Sequence, residues 1–293
     1  MRAGVLNVCK PAGATSFSVV RRLRELTGAR RVGHAGTLDP LATGVLPILF
    51  ESATRLSDFA HRLSKTYEAE VHLGFRTATD DAEAEPQPVA DPSGLDSEAV
   101  AAALAGFVGR ISQQPPAFSA VKVEGRRAYA RARAGEVTMP AAREVEIHSA
   151  ELLRFEPGPR ATAAIRVVCG SGVYLRSLAR DLGEKLGVGG YLGRLARTAY
   201  GPLLLGDSLQ PEDFADAAAV EARLLPSELL LPEMERVRLT VEQEAQVRLG
   251  RSVRVLPEPR PGLLRAHDEG GRLVALGHTD PLRRTFVPDK VLG

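Results

Sequence analysis

Gly33-His34-Ala35-Gly36-Thr37-Leu38-Asp39-Pro40-Leu41-Ala42-Thr43-Gly44-Val45-Leu46-Pro47 sets a single carboxylate, Asp39, in a stretch built for an unusual backbone. Its three glycines permit positive φ or the close approach of another molecule. Pro40 fixes its own φ and biases Asp39 away from the helical region. The apolar residues Val32, Leu38, Leu41, Val45, Leu46 and Ile48 anchor the segment in a core. A rigidly held, partly desolvated aspartate is what a nucleophile or general base requires. Asp-Pro is equally a common turn starter, so spacing alone reads Asp39 either as a turn cap or as a reactive group.

Around this stretch, 293 residues suffice for one large domain, or for a large and a small one. The chain is 44% hydrophobic and 25% charged, as a globular protein should be. Its net charge is only +2, so the distribution of charge, and not its sum, must speak for any polyanionic partner. Cys9 and Cys169 lie far apart, which argues against a disulfide framework or a cysteine zinc site. None of the six histidines forms a His-x-x-x-His pair, so no metal site is expected. The apolar run at residues 5–8 is too short for a signal peptide and is stopped by Lys10-Pro11. No apolar stretch approaches the ~20 residues of a membrane span, and a cytoplasmic protein is the expectation.

Residues 5–9 read as a strand. A helix follows from Thr15 or Ser16 to about Leu26, ended by Gly28, with Val19, Leu23 and Leu26 on its apolar face. Residues 67–73 alternate polar and apolar and read as a half-buried strand. Residues 77–109 hold no Lys or Arg and carry a charge of −7. Within them, Asp80-Asp81 lacks a third metal ligand at suitable spacing and reads as a solvated acidic loop. A helix is expected over 97–108.

Residues 122–133 reverse the sign, with a net charge of +4 from Lys122, Arg126, Arg127, Arg131 and Arg133 against Glu124. Tyr129 lies among these cations, a pattern that suits phosphate contacts and base stacking, or simply an exposed helix. Strands at 144–153 and 161–169 lead through Gly170-Ser171-Gly172 into a helix marked by Leu175, Leu178, Leu182 and Leu186. Tyr174 and Arg176 fall in its first turn. A cation is poorly placed there by the helix dipole, which points to a specific role for Arg176. Beyond about residue 231 come a short helix at 240–249 and a hairpin turning on Asp268-Glu269-Gly270-Gly271. About sixty residues make a small core, so this part should pack on the rest.

From His34 to Leu46 the chain resembles, at every fixed position, the motif H-x-G-[TA]-L-D-P-x-A-x-G-x-L of the TruB family of RNA pseudouridine synthases. Residues 115–129 are similar to that family's P-P-x-[FY]-S-A-x-K-x-x-G-x-R-x-Y. Residues 169–183 are similar to C-x-x-G-[TV]-Y-[IL]-R-x-L-x-x-D-L-G. The resemblance implies an α+β pseudouridine synthase fold with a mixed, mainly antiparallel sheet over 1–230. It also implies an RNA-contacting insertion at about 115–140, and a small β-rich, PUA-like RNA-binding domain over 231–293.

The same resemblance implies the chemistry: isomerisation of uridine to pseudouridine in the T-arm loop of tRNA, at conventional position 55, by base flipping and without a cofactor. Asp39 is then the catalytic residue, acting as nucleophile or base. Arg176 is its ion-pair partner, a guanidinium able to bind a carboxylate through two hydrogen bonds. Tyr67 stacks on the target base, Tyr174 belongs to the pocket, and Leu195 forms an apolar wall. His34 fills the space vacated by the flipped nucleotide. Lys10, Lys65, Lys122, Arg126, Arg127, Tyr129 and Arg131 are the expected RNA contacts. The expected partner is the tRNA T-arm stem-loop, with no membrane and no obligatory protein partner, and the expected state is a monomer. Three rival readings remain: an RNA chaperone without turnover, a guide-RNA-dependent pseudouridylase, and a metal-dependent hydrolase using His34, Asp39, Asp80 and Asp81.

Overall fold

The computed structural model describes residues 1–118, 140–255, 260–280 and 284–292, with Leu282 and the backbone of 122–123 and 126–127. β1 (Gly4–Lys10) leads into α1 (Ser16–Thr27). Thr15 caps α1 by accepting the Ser18 N–H, and Gly28 closes it at φ 63°, its N–H donating to Arg24 O. β2 (Val32–His34) and β3 (Thr43–Phe50) bracket the Asp39 segment. In β4 (Lys65–Leu73), Lys65, Tyr67, Ala69, Val71 and Leu73 are buried and the residues between them half-buried, which puts Lys65 and Tyr67 on one inward face.

α2 (Ser97–Ala105), capped by Asp96, is shorter than the sequence predicts: it closes at Gly106, and Phe107 packs on the core beyond its end. β5 (Gly109–Gln113), β6 (Arg143–Glu156) and β7 (Thr162–Cys169) follow. Then come α3 (Leu175–Lys185), β8 (Gly190–Tyr200) and the short β9 (Leu203–Leu204). The main sheet runs β1-β3-β8-β4-β7-β6-β5, with β2 beside β3 and β9 beside β8. Every pairing is antiparallel except β3 with β8, so the sheet is mixed and mainly antiparallel. That parallel contact lays Arg197 opposite Gly44. α3 covers the sheet centre through Leu175, Leu178 and Leu182, in a core that also takes Leu38, Ala42, Tyr67, Leu192 and Leu195. The Asp39 segment is thus rooted in the core on both sides of its carboxylate.

A second sheet is built from β10 (Glu235–Arg238), β11 (Val253–Arg254), β12 (Leu263–His267), β13 (Leu273–Asp280) and β14 (Thr285–Val291), in the order β10-β12-β13-β14-β11. α4 (Val241–Arg248) packs on it behind a capping box of Thr240 and Gln243. It has its own small core, including Val237, Val247 and Phe286. Leu276 and Leu292 join the apolar cluster of Ala53, Leu56 and Ala60 on the main body, and Lys290 pairs with Asp58 at 2.8 Å.

Candidate active site

Asp39 sits in a loop whose carbonyls are pinned from three sides. Ser16 Oγ donates to Leu38 O and accepts the Leu38 N–H. The Lys10 ammonium donates to Pro11 O, Ala14 O and Pro40 O. Arg197 Nη2 donates to Gly36 O, and its Nε to Val45 O at 2.7 Å. Two glycines make this possible. Gly36 has φ 83°, and a Cβ there would lie 3.1 Å from the Tyr200 ring. Gly44 has φ 102°, and a Cβ would come within 2.8 Å of Arg197 N. Gly33 needs neither freedom; it lies in β2, and a Cβ there would make only an ordinary contact with Thr54 at 3.9 Å.

Arg176 Nε lies 2.9 Å from Asp39 Oδ2, without the alignment of a hydrogen bond. Arg176 is almost wholly buried, whereas the Asp39 side chain is 34% exposed. The expected two-bond fork does not form. Arg176 Nη1 is taken by Thr79 O and by Asp81 Oδ2 at 3.6 Å, and Nη2 donates to Phe118 O at 2.9 Å. Asp81 therefore corrects the sequence reading of a solvated acidic loop. It is 2% exposed, and its carboxylate also accepts from Thr79 Oγ1 and the Glu83 N–H. Its neighbour Asp80 pairs with Arg180 at 2.9 Å. The carboxylates assigned to the hydrolase reading thus each face a guanidinium.

A cavity of about 260 Å³ opens on Asp39. Lys65, Tyr67, Leu195 and Arg197 line one part of it, and Arg143 and Gly170 to Leu175 another. Tyr67 and Arg197 are opposite one another across β4 and β8, and the Tyr67 hydroxyl is 3.5 Å from Arg197 Nη1. Burial raises the Tyr67 phenol above its ordinary value, so it enters any reaction protonated. Burial also lowers the Lys65 ammonium to about 8; it donates to His61 O and lies over the Tyr200 ring. A larger groove of about 1290 Å³ separates the body from the second sheet, but Asp39 is not in it.

The structure brings together Asp39, Lys65, Tyr67, Tyr174, Arg176 and Leu195. It does not place Lys10 at a surface. Lys10 is fully buried, its ammonium spent on the loop carbonyls and lowered to about 8 by desolvation, so the expectation of an RNA contact is corrected to a loop pin. His34 is half-buried in β2 and outside the pocket lining, with its pKa lowered by burial and by the Arg197 charge. The backbones of Lys122–Val123 and Arg126–Arg127 pair antiparallel as a two-stranded sheet. The side chains of Lys122, Arg126 and Arg127, and the whole of Tyr129 and Arg131, lie outside the described residues. Sequence reasoning missed Arg197, His61, Asp81 and Arg143. For Arg197 the one available signal was its position two residues after Leu195 on a strand, which gives both the same face.

Residues 24–175 match the N-terminal domain of the TruB family pseudouridylate synthases. A tRNA pseudouridine synthase B from Synechococcus elongatus is 43% identical over 279 residues, covering 94% of this chain and 93% of its own. That of Thermobifida fusca is 43% identical over 281 residues, covering 94% of both. That of Symbiobacterium thermophilum is 45% identical over 244 residues, covering 83% of this chain and 81% of its own. Among solved structures, a chain of a Cbf5-Nop10-Gar1 complex superposes with a TM-score of 0.74 at 26% identity, over 99% of this chain and 85% of that one.

Proposed function

This chain belongs to the TruB family of pseudouridylate synthases, and from that premise we propose that it isomerises uridine to pseudouridine in tRNA with Asp39 as its catalytic residue. The observation that carries the assignment is the Asp39 carboxylate, open to a pocket walled by Tyr67 and Leu195 and backed at 2.9 Å by the buried Arg176. The reaction breaks the N1–C1′ bond, turns the uracil and forms C5–C1′; the C5 proton leaves and N1 gains one, so atoms balance without a cofactor. Asp39 acts on the nucleoside as nucleophile or base. Arg176 sets its positive charge 2.9 Å from the Asp39 carboxylate and, with both Nη atoms tied elsewhere, leaves most of that carboxylate's lone pairs to the substrate. The Tyr67 ring stacks on the extruded base against Leu195, and Tyr174 closes the pocket's other side.

The substrate position is uridine 55 in the T-arm loop. The insertion at about 115–140 contacts that arm, and the β-rich residues 231–293 act as a PUA-like RNA-binding domain beside a catalytic domain ending near 230. Lys65 adds a cation inside the pocket, and His34 occupies the space that the flipped nucleotide leaves. His34→Ala should therefore weaken RNA binding more than single-turnover chemistry. The protein acts as a monomer in the cytoplasm without a protein partner; its 43% identity to tRNA pseudouridine synthase B relatives favours this over a guide-dependent assembly. The test is tritium release from a transcript labelled at uracil C5, with EDTA present. Release from tRNA, abolished when uridine 55 is replaced by cytidine, is expected. Release that persists after the replacement overturns the position, and no release at all overturns the activity.

A further inference from the structure

We propose that Arg143 grips a backbone phosphate of the RNA strand at the mouth of the Asp39 pocket, from a fixed position stacked on Tyr174. The inference rests on the reading of that pocket as the uridine site. Arg143 opens β6 directly opposite Gln113 of β5. The buried Gln113 amide holds the Tyr174 backbone twice: Nε2 donates to Tyr174 O at 3.2 Å, and Oε1 accepts the Tyr174 N–H at 2.8 Å. The Tyr174 ring is therefore set by the sheet edge. The Arg143 guanidinium lies over it, 5.0 Å from its centroid, a cation–π contact that holds the fork at the ring.

Arg143 spends little of its donor capacity on the protein. Nη2 donates to Gly172 O at 2.7 Å, and Nε has no partner although it is shielded from solvent. Among the described residues, Arg143 makes no ion pair. The other arginines of the site differ: Arg176 and Arg180 face carboxylates, and Arg197 is buried on two carbonyls. Lys65 and His61 line the same cavity, so the charge that Arg143 presents is not cancelled there except by Asp39, itself paired with Arg176. Uracil and ribose are neutral; the only anionic groups that a flipped uridine carries with it are its two flanking phosphodiesters. A planar, stacked, un-neutralised guanidinium matches such a group in charge and in geometry.

The test pairs Arg143 variants with synthetic T-arm stem-loops carrying one neutral methylphosphonate, placed 5′ or 3′ to the target uridine. Arg143→Ala should raise KM about tenfold to a hundredfold and change kcat less than about threefold, as loss of uniform binding does. The slope of log Kd against log salt should fall by about 0.7, the share of one single-strand phosphate. A methylphosphonate at one of the two linkages should weaken wild type by a similar factor and add nothing to Arg143→Ala. Arg143→Gln keeps a donor for Gly172 O and guards against a collapsed turn; it should behave as Arg143→Ala does. Wild-type KM in Arg143→Gln, or methylphosphonate losses at both linkages that are as large in Arg143→Ala as in wild type, overturn the proposal. Absence of turnover by wild type on the unmodified stem-loop would instead overturn the reading of the pocket.

Discussion

Arg176 and Arg180 stand one turn apart on α3, and each sits between two aspartates. Arg180 is fully engaged: Nε donates to Asp181 Oδ1 and Nη1 to Asp80 Oδ2, both at 2.9 Å, and Nη2 donates to Gln114 O. Arg176 is held as firmly on its far side, by Asp81, Thr79 O and Phe118 O, but meets Asp39 without an aligned hydrogen bond. The first set clips the residue 80 turn to the helix. The second keeps a charge beside a carboxylate whose lone pairs remain available and whose face is open to a pocket. Alignment and access, and not residue type, separate the structural clip from the proposed reactive centre.

Removing the Asp39 carboxylate, the proposed catalytic group, should break the contrast most severely. Asp39→Asn is expected to lower single-turnover rate by about 10⁴-fold, as for loss of a group on which the mechanism turns, with the thermal midpoint nearly unchanged. Asp81→Asn leaves Arg176 charged but loosens its orientation. A fall in kcat of about tenfold to a hundredfold is expected, the worth of a charged hydrogen bond, with Kd for tRNA preserved. Arg180→Met should invert the pattern. Unfolding free energy should drop by about 1–3 kcal/mol, because Asp80 and Asp181 lose their partner while half-buried, yet kcat at a permissive temperature should stay within about threefold of wild type. Burial already raises the pKa of both aspartates despite Arg180, so the clip is held against a desolvation cost.

The smallest effect concerns the lysines that flank the loop. Lys10 and Lys65 lose their protons near 8 in the folded chain against 10.5 when unfolded. Above pH 8 the unfolded chain therefore binds more protons, and stability rises with pH. Cys169, held protonated to about 12 against 9.0, acts in the opposite direction above pH 9 and offsets part of the lysine effect. Urea midpoints should climb modestly from pH 8 to 9, and Lys10→Met and Lys65→Met should each flatten the climb. A midpoint falling over that interval in wild type would contradict the buried-ammonium account.

Elements whose signals are local were legible in the sequence. The caps of α1, the alternation of β4 and the hairpin in the second sheet depend on neighbours within a few residues. The fold class and the grouping of Asp39, Tyr67 and Arg176 came through motif resemblance, and the sheet brings those residues together as expected. What stayed hidden depends on contacts across the sheet. Asp81 is buried because Arg176, 95 residues away in sequence, reaches it, while its acidic surroundings in sequence suggested solvent. Lys10 read as a basic contact because nothing local shows that Pro40 O lies within its reach. Arg197 carried no reading of its own in the sequence, yet the parallel pairing of β3 and β8 buries it against Gly44. Long-range ion pairs leave no periodicity to read.

The most direct measurement is single-turnover tritium release from a C5-labelled tRNA transcript, run side by side for wild type, Asp39→Asn and Asp80→Asn at a temperature where all three are folded. The account predicts release by wild type and Asp80→Asn at similar rates and none by Asp39→Asn with tRNA still bound. Release by Asp39→Asn, or its loss in Asp80→Asn alone, would contradict the division between reactive centre and clip.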